Sequence, residues 1–464
     1  MREEKIIIYP MTYIELLSYE GLVQVNEHGY VKLKGQMPFE KKQECLAAGK
    51  RQTWVNIAAI AGDQEKSLFY GVITYMRMEV ENETCTIQIE LKTGSSLMDK
   101  EVSIRSFQNT SATYNDVLNT CNEAYSNHDC DKIMTEAKQK TIDQFLMQYK
   151  ETDWNFIKRL ASRVGTVVVP EYKTSGIKYY FGLPNRRDSI IEGTCEYSVS
   201  CDMQEYSIKK AKAMSLTQED TITYMWEDRE IYELGQNKSI NGKTMYVWKI
   251  QTELRKNELY HTYFMKTKQG ICMPLQHNKE ITGASLYATV IDVEHERVQI
   301  QMEVDSNSNG SGACWFSFAS VYSSDDGTGW YCMPEKGDRV RLHFPTYEEQ
   351  DAYVVSAYHE RNAKLRKDPE IKFWRNKEGK EIQLAPSHIL MTNNDGTYIQ
   401  LSDEDGIEIV SEGSVMLQAK KGMSITSSSG SIELSASKKV RLRQGETEMN
   451  LSGDLNMQGA RIKL

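Results

Sequence analysis

The stretch "GIEIVSEGSVMLQAKKGMSITSSSGSIELSASKKVRLR", residues 406–443, decides the fold of the carboxy-terminal part of the chain. Short apolar pairs alternate with polar residues in it, as they do on one face of a β-strand. The pairs recur about every eight residues, and glycine, serine or lysine fills the intervals. The pairs, with one that precedes the stretch, are Ile399 and Leu401, Ile407 and Ile409, Val415 and Leu417, Met423 and Ile425, Ile432 and Leu434, and Val440 and Leu442.

One such repeat offers two side chains for burial, worth roughly 2 kcal/mol each. Ordering its residues costs on the order of 12 kcal/mol, so the segment is not stable as an isolated ribbon. Neighbouring strands must cover the apolar stripe and pair with its edges. Either one chain coils on itself as a solenoid, or several copies wind together. Because the repeat is too short for a whole solenoid turn, it favours three chains around a core of these residues. The remaining alternative is an unstructured serine-rich tail, and the regular apolar spacing argues against it.

Composition narrows the class of protein. The chain has 464 residues, 40% of them hydrophobic and 26% charged, which is typical of a globular protein with two to four domains. Its net charge of −9 argues against binding the nucleic-acid backbone. No apolar run is long enough to span a bilayer, and we expect no secretory signal peptide at the amino terminus.

The nine cysteines are scattered, with no regular framework. Cys121 with Cys130, or Cys195 with Cys201, could pair, but reduced cysteines are the expectation.

Residue patterns divide the chain into six segments. Residues 106–165 carry helical patterns at 113–125, 131–148 and 152–165. The last helix is predicted to have Thr152 as its N-cap and Gly165 as its stop. Its predicted core face consists of Trp154, Ile157, Leu160, Ala161 and Val164. The other segments are strand-rich 1–105, 166–280 and 281–360, a charged linker 361–381, and the repeat segment 382–464.

Several motifs resemble the VgrG family, the spike of type VI secretion systems and of phage-tail-like contractile particles. "FYGVITYMRME" (69–79) is similar to a hub strand of the family, and "IRSFQNTSATYNDVL" (104–118) to its segment leading into a helix. The most specific match is "QYKETDWNFIKRLASRVG" (148–165). The signature residues in that run are Tyr149, Glu151, Asp153, Trp154, Phe156, Arg159, Leu160 and Gly165.

"GWYCMPEKGDRVRLHFPTYEEQDAYVVSAYH" (329–359) resembles the OB-fold of the same family. Pro334, Gly337 and Asp338 are expected to form its turn. Val340 and Leu342 are expected to face the barrel interior together with Val354 and Val355.

The resemblance implies a mainly β fold. Residues 1–105 and 166–280 would be two barrel-like hub domains with 106–165 as a helical insertion. Residues 281–360 would be the OB-fold, and 382–464 a trimeric β-helix or β-prism spike after the linker 361–381. No lysozyme or effector domain is recognisable in the chain, nor the His-x-His apex of some phage needles. A PAAR-type protein is therefore expected on the blunt end at Leu464.

No catalytic, cofactor or metal site is predicted. Glu151 and Asp153 are interpreted as capping and helix-dipole residues. Glu348, Glu349 and Asp351 are interpreted as a solvated acidic loop without a nearby histidine. The eight histidines are dispersed, without metal-binding spacing.

An aromatic group on the OB segment has two interpretations. It could stack on single-stranded nucleic acid, but in an acidic chain packing against hub or spike is expected instead. The group consists of Trp315, Phe316, Phe318, Trp330 and Tyr331.

The sequence thus predicts a structural homotrimer: the baseplate hub and spike of a contractile injection machine, which connects tube to needle and pierces the target envelope. Expected partners are tube and baseplate proteins, a PAAR-type tip and effectors, with transient contact with the target envelope and no nucleic acid. Assembly is expected in the bacterial cytoplasm, followed by delivery to or beyond the cell surface on contraction. The alternatives are a trimeric tail-fibre-like adhesin and a spike with cell-wall hydrolase activity. Phage, tailocin, extracellular particle and type VI apparatus all remain open.

Overall fold

The structure is a computed structural model. It describes residues 5–51, 53–61, 64–81, 83–125, 129–185, 191, 196–212, 214–305, 313–359, 365–453, 455–458 and 461. The chain forms two compact units, Met1–Glu360 and Arg361–Leu464. The fold is mainly β, as the sequence predicts.

The first hub segment consists of strands and one short helix. Its strands are β1 (Lys5–Tyr9), β2 (Glu15–Gln24), β3 (Tyr30–Pro38), β4 (Trp54–Ala61), β5 (Gln64–Glu81), β6 (Thr84–Lys92) and β7 (Val102–Phe107), and its helix is α1 (Lys42–Lys50). The insertion and the residues up to 181 contain α2 (Tyr114–Glu123), β8 (Asp131–Met134), β9 (Leu146–Thr152), α3 (Asp153–Arg163), β10 (Val168–Pro170) and β11 (Lys178–Phe181). The second hub segment contains β12 (Ser198–Cys201), α4 (Met203–Ala211), β13 (Ile222–Asp228), β14 (Asn237–Ile240), β15 (Lys243–Arg255), β16 (Glu258–Lys266) and α5 (Lys268–Ile271).

Strands of both hub segments lie in one eleven-stranded sheet, ordered β1-β4-β5-β6-β3-β2-β15-β16-β13-β12 with β14 beside β15. The two segments that the sequence assigns to separate barrel-like domains are joined where β2 pairs antiparallel with β15. Alternating residues of β3 and β6 build the core, and Val31, Leu33, Ile87 and Ile89 are fully buried.

Gly71 of β5 explains the glycine of the "FYGVITY" motif. A Cβ at this position would lie 2.3 Å from the carbonyl oxygen of Lys92 and 2.7 Å from Cε1 of Phe69. No side chain fits at those distances, so glycine allows β5 to approach β6 this closely.

The predicted helix over 131–148 is wrong. This stretch begins with β8, which pairs in parallel with β11, and ends in β9, which pairs antiparallel with β7. Its lysine, alanine and glutamine residues favour a helix locally, but pairing with distant strands overrides that preference. The predicted helices at 113–125 and 152–165 are confirmed as α2 and α3.

The OB segment contains β17 (Ser285–Glu294), β18 (Arg297–Met302), β19 (Trp315–Ser317), β20 (Arg339–His343) and β21 (Tyr353–Val355). They form a sheet ordered β19-β18-β17-β20-β21, and a parallel bridge between Phe318 and Val354 brings its two edges together. Val340, Leu342 and Val354 are fully buried, as predicted. The prediction that Val355 faces the interior is wrong. Val355 is only partly buried, because it follows Val354 and points to the other side of the strand.

The carboxy-terminal unit begins with an antiparallel meander. It consists of β22 (Lys372–Arg375), β23 (Glu381–Ala385), β24 (His388–Thr392), β25 (Tyr398–Ser402) and β26 (Gly406–Val410). A second, three-stranded sheet consists of β27 (Val440–Gln444), β28 (Thr447–Leu451) and β29 (Leu455–Gln458). Within residues 411–439, all of which the structure describes, no strand forms.

Candidate functional site: the hub–OB junction and the spike face

Helix α3 positions the signature residues of 148–165. Thr152 caps it, since its hydroxyl accepts a hydrogen bond from the backbone N–H of Asn155 at 3.3 Å. Trp154, Leu160 and the rest of the predicted core face are buried, apart from the partly buried Val164. Gly165 ends the helix with a positive φ of 70°, the conformation expected of a residue just past a helix C-terminus.

Asp153 lies in the first turn of α3, as the dipole interpretation expects, but it is also buried in a polar network. Its side chain is 2% exposed, and Oδ1 lies 2.5 Å from Nη1 of Arg105. Gln148 Nε2 donates to the same oxygen at 2.8 Å, and the Tyr125 hydroxyl donates to Oδ2 at 2.8 Å. The dipole interpretation was incomplete because sequence spacing does not show that Arg105, on β7, reaches the start of α3.

Glu151 and Glu349 both pair with Arg159 of α3, whose side chain is 3% exposed. Nη2 of Arg159 lies 2.5 Å from Oε1 of Glu151, and Nη1 lies 2.6 Å from Oε1 of Glu349. Arg163 also pairs with Glu349, and Nη2 of Arg159 donates to the carbonyl oxygen of Met147 as well. A buried ion pair of this kind persists only where hydrogen bonds satisfy both partners, as they do here.

Burial and these ion pairs shift the pKa values of Glu151 and Arg159. Burial raises the pKa of Glu151, and the neighbouring Arg159 offsets this only in part. Burial alone would lower the pKa of Arg159, but the carboxylates of Glu151 and Glu349 outweigh it and raise the pKa.

The interpretation of Glu348, Glu349 and Asp351 as a solvated acidic loop without a nearby histidine is therefore wrong for Glu349 and Glu348, whereas Asp351 is exposed as expected. Glu349 is 2% exposed and belongs to the buried network. Nδ1 of His277 lies 3.5 Å from Oε1 of Glu348. The sequence did not predict these contacts because Arg159 and Arg163 on α3, and His277 before β17, are distant from the loop in sequence. The two arginines on one helix were the signal that could have pointed to a buried carboxylate.

Strand β9 connects the hub to the OB segment. Leu146 packs in the core cluster of the insertion, whereas its neighbour Met147 packs with the OB core around Val290 and Leu342. Tyr149 also lies in the OB cluster, and Nδ2 of Asn278 donates to its carbonyl oxygen at 2.6 Å. Adjacent residues of one strand thus belong to two cores.

Two further polar contacts join β7 and its loop to the OB segment. The backbone N–H and the hydroxyl of Ser106 both donate to Oδ2 of buried Asp305, the N–H at 2.8 Å. The Sγ of Cys314 lies 3.0 Å from the carbonyl oxygen of Gln108. Shared core and buried polar contacts together make this junction a stiff connection.

The meander β22–β26 carries an uncovered apolar face. Cross-strand pairing aligns two rows of four side chains each on it, and every one of the eight is between 40% and 73% exposed. The rows are Ile382, Met391, Ile399 and Ile409, and Leu384, Ile389, Leu401 and Ile407.

The later apolar pairs of the repeat are uncovered too. Val415, Leu417, Met423, Ile425, Ile432, Leu434 and Leu442 are each more than half exposed, and Val440 is partly buried. A single chain therefore leaves the whole repeat without a core, which does not match a solenoid coiled on itself.

The turn that the sequence predicts in the OB segment forms around Gly337. Gly337 has a φ of 91°, and Oδ2 of Asp338 accepts from the N–H of Glu335 at 2.8 Å. Pro334 immediately precedes this closed loop.

Comparison with known protein families identifies two segments of the chain. Residues 42–179 match the family of the phage tail baseplate hub (GPD), and residues 286–359 match the type VI secretion system/phage-baseplate injector OB domain. Over these two segments the chain is similar to the hub and the injector OB domain of phage baseplates and type VI secretion systems. Among curated proteins, no significant relative was found.

Solved structures share this fold at low sequence identity. The E. coli c3393 protein, a type VI secretion component with structural similarity to the T4 bacteriophage tail proteins gp27 and gp5, is 13% identical with a TM-score of 0.55. The match covers 76% of this chain and all of that one. The Francisella PdpA–VgrG complex in its half-lidded form is 8% identical with a TM-score of 0.58, covering 88% of each chain. The PdpA–VgrG complex in its lidless form is 9% identical with a TM-score of 0.58, covering 88% of this chain and 98% of that one.

The aromatic residues of the OB segment divide into two groups. Phe316 is buried in the OB core and Phe318 packs against it. Trp330 and Tyr331 are 52% and 70% exposed within their unit, and Trp315 is 37% exposed. Trp330 and Tyr331 are therefore not packed within the OB segment, and their packing against hub or spike stays a prediction.

Cysteines and metal-ligating side chains form no site in the described part of the chain. Cys121 and Cys130 are both free, so that suggested pair is wrong. Cys201 is free and exposed, whereas Cys195 lies outside the described residues. Across the ranges that the structure describes, no cluster of three or more His, Cys, Asp or Glu side chains could hold a metal ion. No helix among those residues has the length and apolar character to cross a membrane.

Proposed function

We propose that this VgrG-like chain acts as a homotrimeric hub and spike that connects the tube of a contractile machine to its needle and pierces the target envelope. The observation that carries the proposal is the pair of uncovered apolar rows on β23–β26, continued by the exposed repeat up to Leu442.

Burial drives the association. Covering the exposed half of each side chain in these rows contributes roughly 1 kcal/mol per side chain. Two further copies supply the cover and pair with residues 411–439, a fully described range in which the single chain forms no strand. Each repeat is too short to form a whole turn by itself, but three copies together complete one. The apolar pairs of each chain then face a common axis.

The hub–OB junction supports a mechanical role. A piercing tip has to pass an axial load from a broad base to a narrow rod, and the shared core at β9 with the buried Arg159 network resists shear within the base. We infer that tube and baseplate proteins bind the hub, and that a PAAR-type protein and effectors bind the spike. This rests on the resemblance and on the VgrG complex with PdpA. We infer that the chain itself is not an enzyme, and that it assembles in the bacterial cytoplasm before delivery by contraction.

The trimer is tested by light scattering on the purified full chain, with an expected mass of about three times 53.3 kDa. Ile425→Asp with Ile432→Asp should abolish association, because each change places a carboxylate in the proposed core. Ser424→Asp with Ser431→Asp is the matched control, one residue away and on the opposite face, and should remain trimeric. A monomeric wild type, or equal masses for both double variants, would contradict the proposal.

Two further experiments test the remaining parts. Deleting residues 382–464 should weaken or abolish the association. A zymogram on peptidoglycan with the purified chain should show no lysis, and clear lysis would replace the structural role with a hydrolase.

A further inference from the structure

Charge is segregated along the carboxy-terminal unit. Residues 382–410 contain five acidic residues and neither lysine nor arginine. Residues 413–445, which we call the basic window, contain six basic residues and one acidic residue, a net charge of +5. The six bases are Lys420, Lys421, Lys438, Lys439, Arg441 and Arg443. The chain as a whole carries −9, so the rest of it is strongly acidic.

The bases of the window are exposed and mostly unpaired. All six are exposed. Arg441 lies 3.1 Å from Glu448, and Arg443 donates to the carbonyl oxygen of Gly445. Among the described residues, no carboxylate forms an ion pair with any of the four lysines.

Their positions place them on the outside of a rod. Arg441 and Arg443 alternate with Val440 and Leu442 along β27, so they occupy the opposite face. Lys420, Lys421 and Lys438 lie in bends between consecutive apolar pairs, where a wound chain would turn, and Lys439 directly follows the second bend. Met416 alternates with Val415 and Leu417 in the same way and is 84% exposed. This outward placement rests on the proposed trimer, in which the apolar pairs face the common axis.

We propose that the basic window binds the anionic lipid headgroups of a membrane surface. Three chains present eighteen basic side chains around one short length of rod. Each basic side chain near an anionic leaflet contributes about 1 kcal/mol, within a Debye length of about 10 Å. The exposed thioether of Met416 then enters the apolar side of the headgroup layer.

A membrane fits this distribution better than a nucleic acid. A long polyanion lying along the protein would meet the acidic remainder of the chain and be repelled. A membrane that the spike enters tip first meets the basic window before it meets the acidic residues 382–410. The aromatic platforms that single-stranded nucleic acid uses do not occur within residues 413–445.

The test is flotation of the full chain with vesicles. One set contains phosphatidylcholine alone, and the other contains phosphatidylcholine with one-third phosphatidylglycerol. The wild type should bind only the anionic vesicles, and high salt should release it. Lys420→Gln, Lys421→Gln, Lys438→Gln and Lys439→Gln combined should weaken that binding at least roughly tenfold, given the contribution of each lysine. Replacing the exposed hub lysines Lys32, Lys34, Lys50 and Lys256 by glutamine removes the same charge and should leave binding unchanged.

Light scattering on the same samples separates this inference from the trimer. A trimeric wild type that ignores anionic vesicles, or binds phosphatidylcholine equally well, overturns the lipid assignment and leaves the trimer intact. Equal binding by the spike-lysine variant does the same. Tighter binding of these lysines to duplex DNA than to vesicles also overturns it. A monomeric wild type instead contradicts the proposed function itself.

Discussion

Arg159 of α3 and Glu349 of the OB segment form an ion pair in which both side chains are almost completely buried, with Nη1 2.6 Å from Oε1. The two residues are 190 positions apart and join the hub insertion to the OB-fold. Glu151 and Arg163 complete the network, so Arg159 and Glu349 each have two charged partners. A junction held by a few directional contacts fixes the angle between two domains more tightly than apolar packing alone.

Glu349→Gln is expected to lower the free energy of unfolding by roughly 3 kcal/mol, at the low end for breaking a buried pair because Arg159 keeps Glu151. Urea titration of the full chain, at the same protein concentration for every variant, measures this free energy. Glu348→Gln is the neighbouring control; its side chain is 35% exposed, and it should change stability by less than about 1 kcal/mol. Equal effects from the two variants would show that the network does not bear on stability.

His261 should make the hub less stable in mild acid. Burial lowers the pKa of its imidazole to about 4, with Lys173 adding to the effect and Asp228 opposing it. Because the unfolded chain binds this proton near pH 6.5, the contribution of the neutral histidine is fully present above pH 6.5. It is lost as the pH falls towards 4 and amounts to at most about 3 kcal/mol.

The measurement is the unfolding midpoint between pH 7 and pH 4 for the wild type and His261→Asn. Asparagine can still meet the Thr252 hydroxyl, which lies 2.8 Å from Nδ1 of His261, but it does not titrate. The stability gap between the two proteins should shrink as the pH falls. A gap that stays constant over this range would contradict the assignment.

Gly71→Ala should destabilise the hub by more than about 2 kcal/mol, because the new Cβ overlaps the backbone oxygen of Lys92 and the strands must separate. Gly49→Ala in α1 is the matched control. There the nearest atom is the flexible Sδ of Met76 at 3.0 Å, and alanine favours the helix by about 1 kcal/mol. Thermal unfolding distinguishes the two, and a stable Gly71→Ala variant would mean that β5 and β6 lie further apart.

Local patterns predicted the local structure. Thr152, the apolar face of α3 and Gly165 each act within one helix, so a sequence window contains all the information they need. The alternation of Val340 and Leu342 predicted the OB core for the same reason.

Partners across long separations were the part that could not be predicted. A window around 131–148 favours a helix, and only β7 and β11, far away in sequence, turn its ends into strands. Glu349 looks solvated until α3 supplies Arg159 and Arg163. Partners on other chains are equally invisible in a local window of sequence. The repeat predicts that the apolar side chains of residues 399–442 need to be covered, and their exposure within one chain agrees with this.

The uncovered rows on β23–β26 also have a consequence for synthesis. If three copies form the spike as proposed, a newly made copy carries an uncovered apolar sheet surface until two others cover it, and we expect this lone subunit to be the species most prone to aggregate. On that basis we expect spike formation to depend steeply on the local concentration of newly made copies.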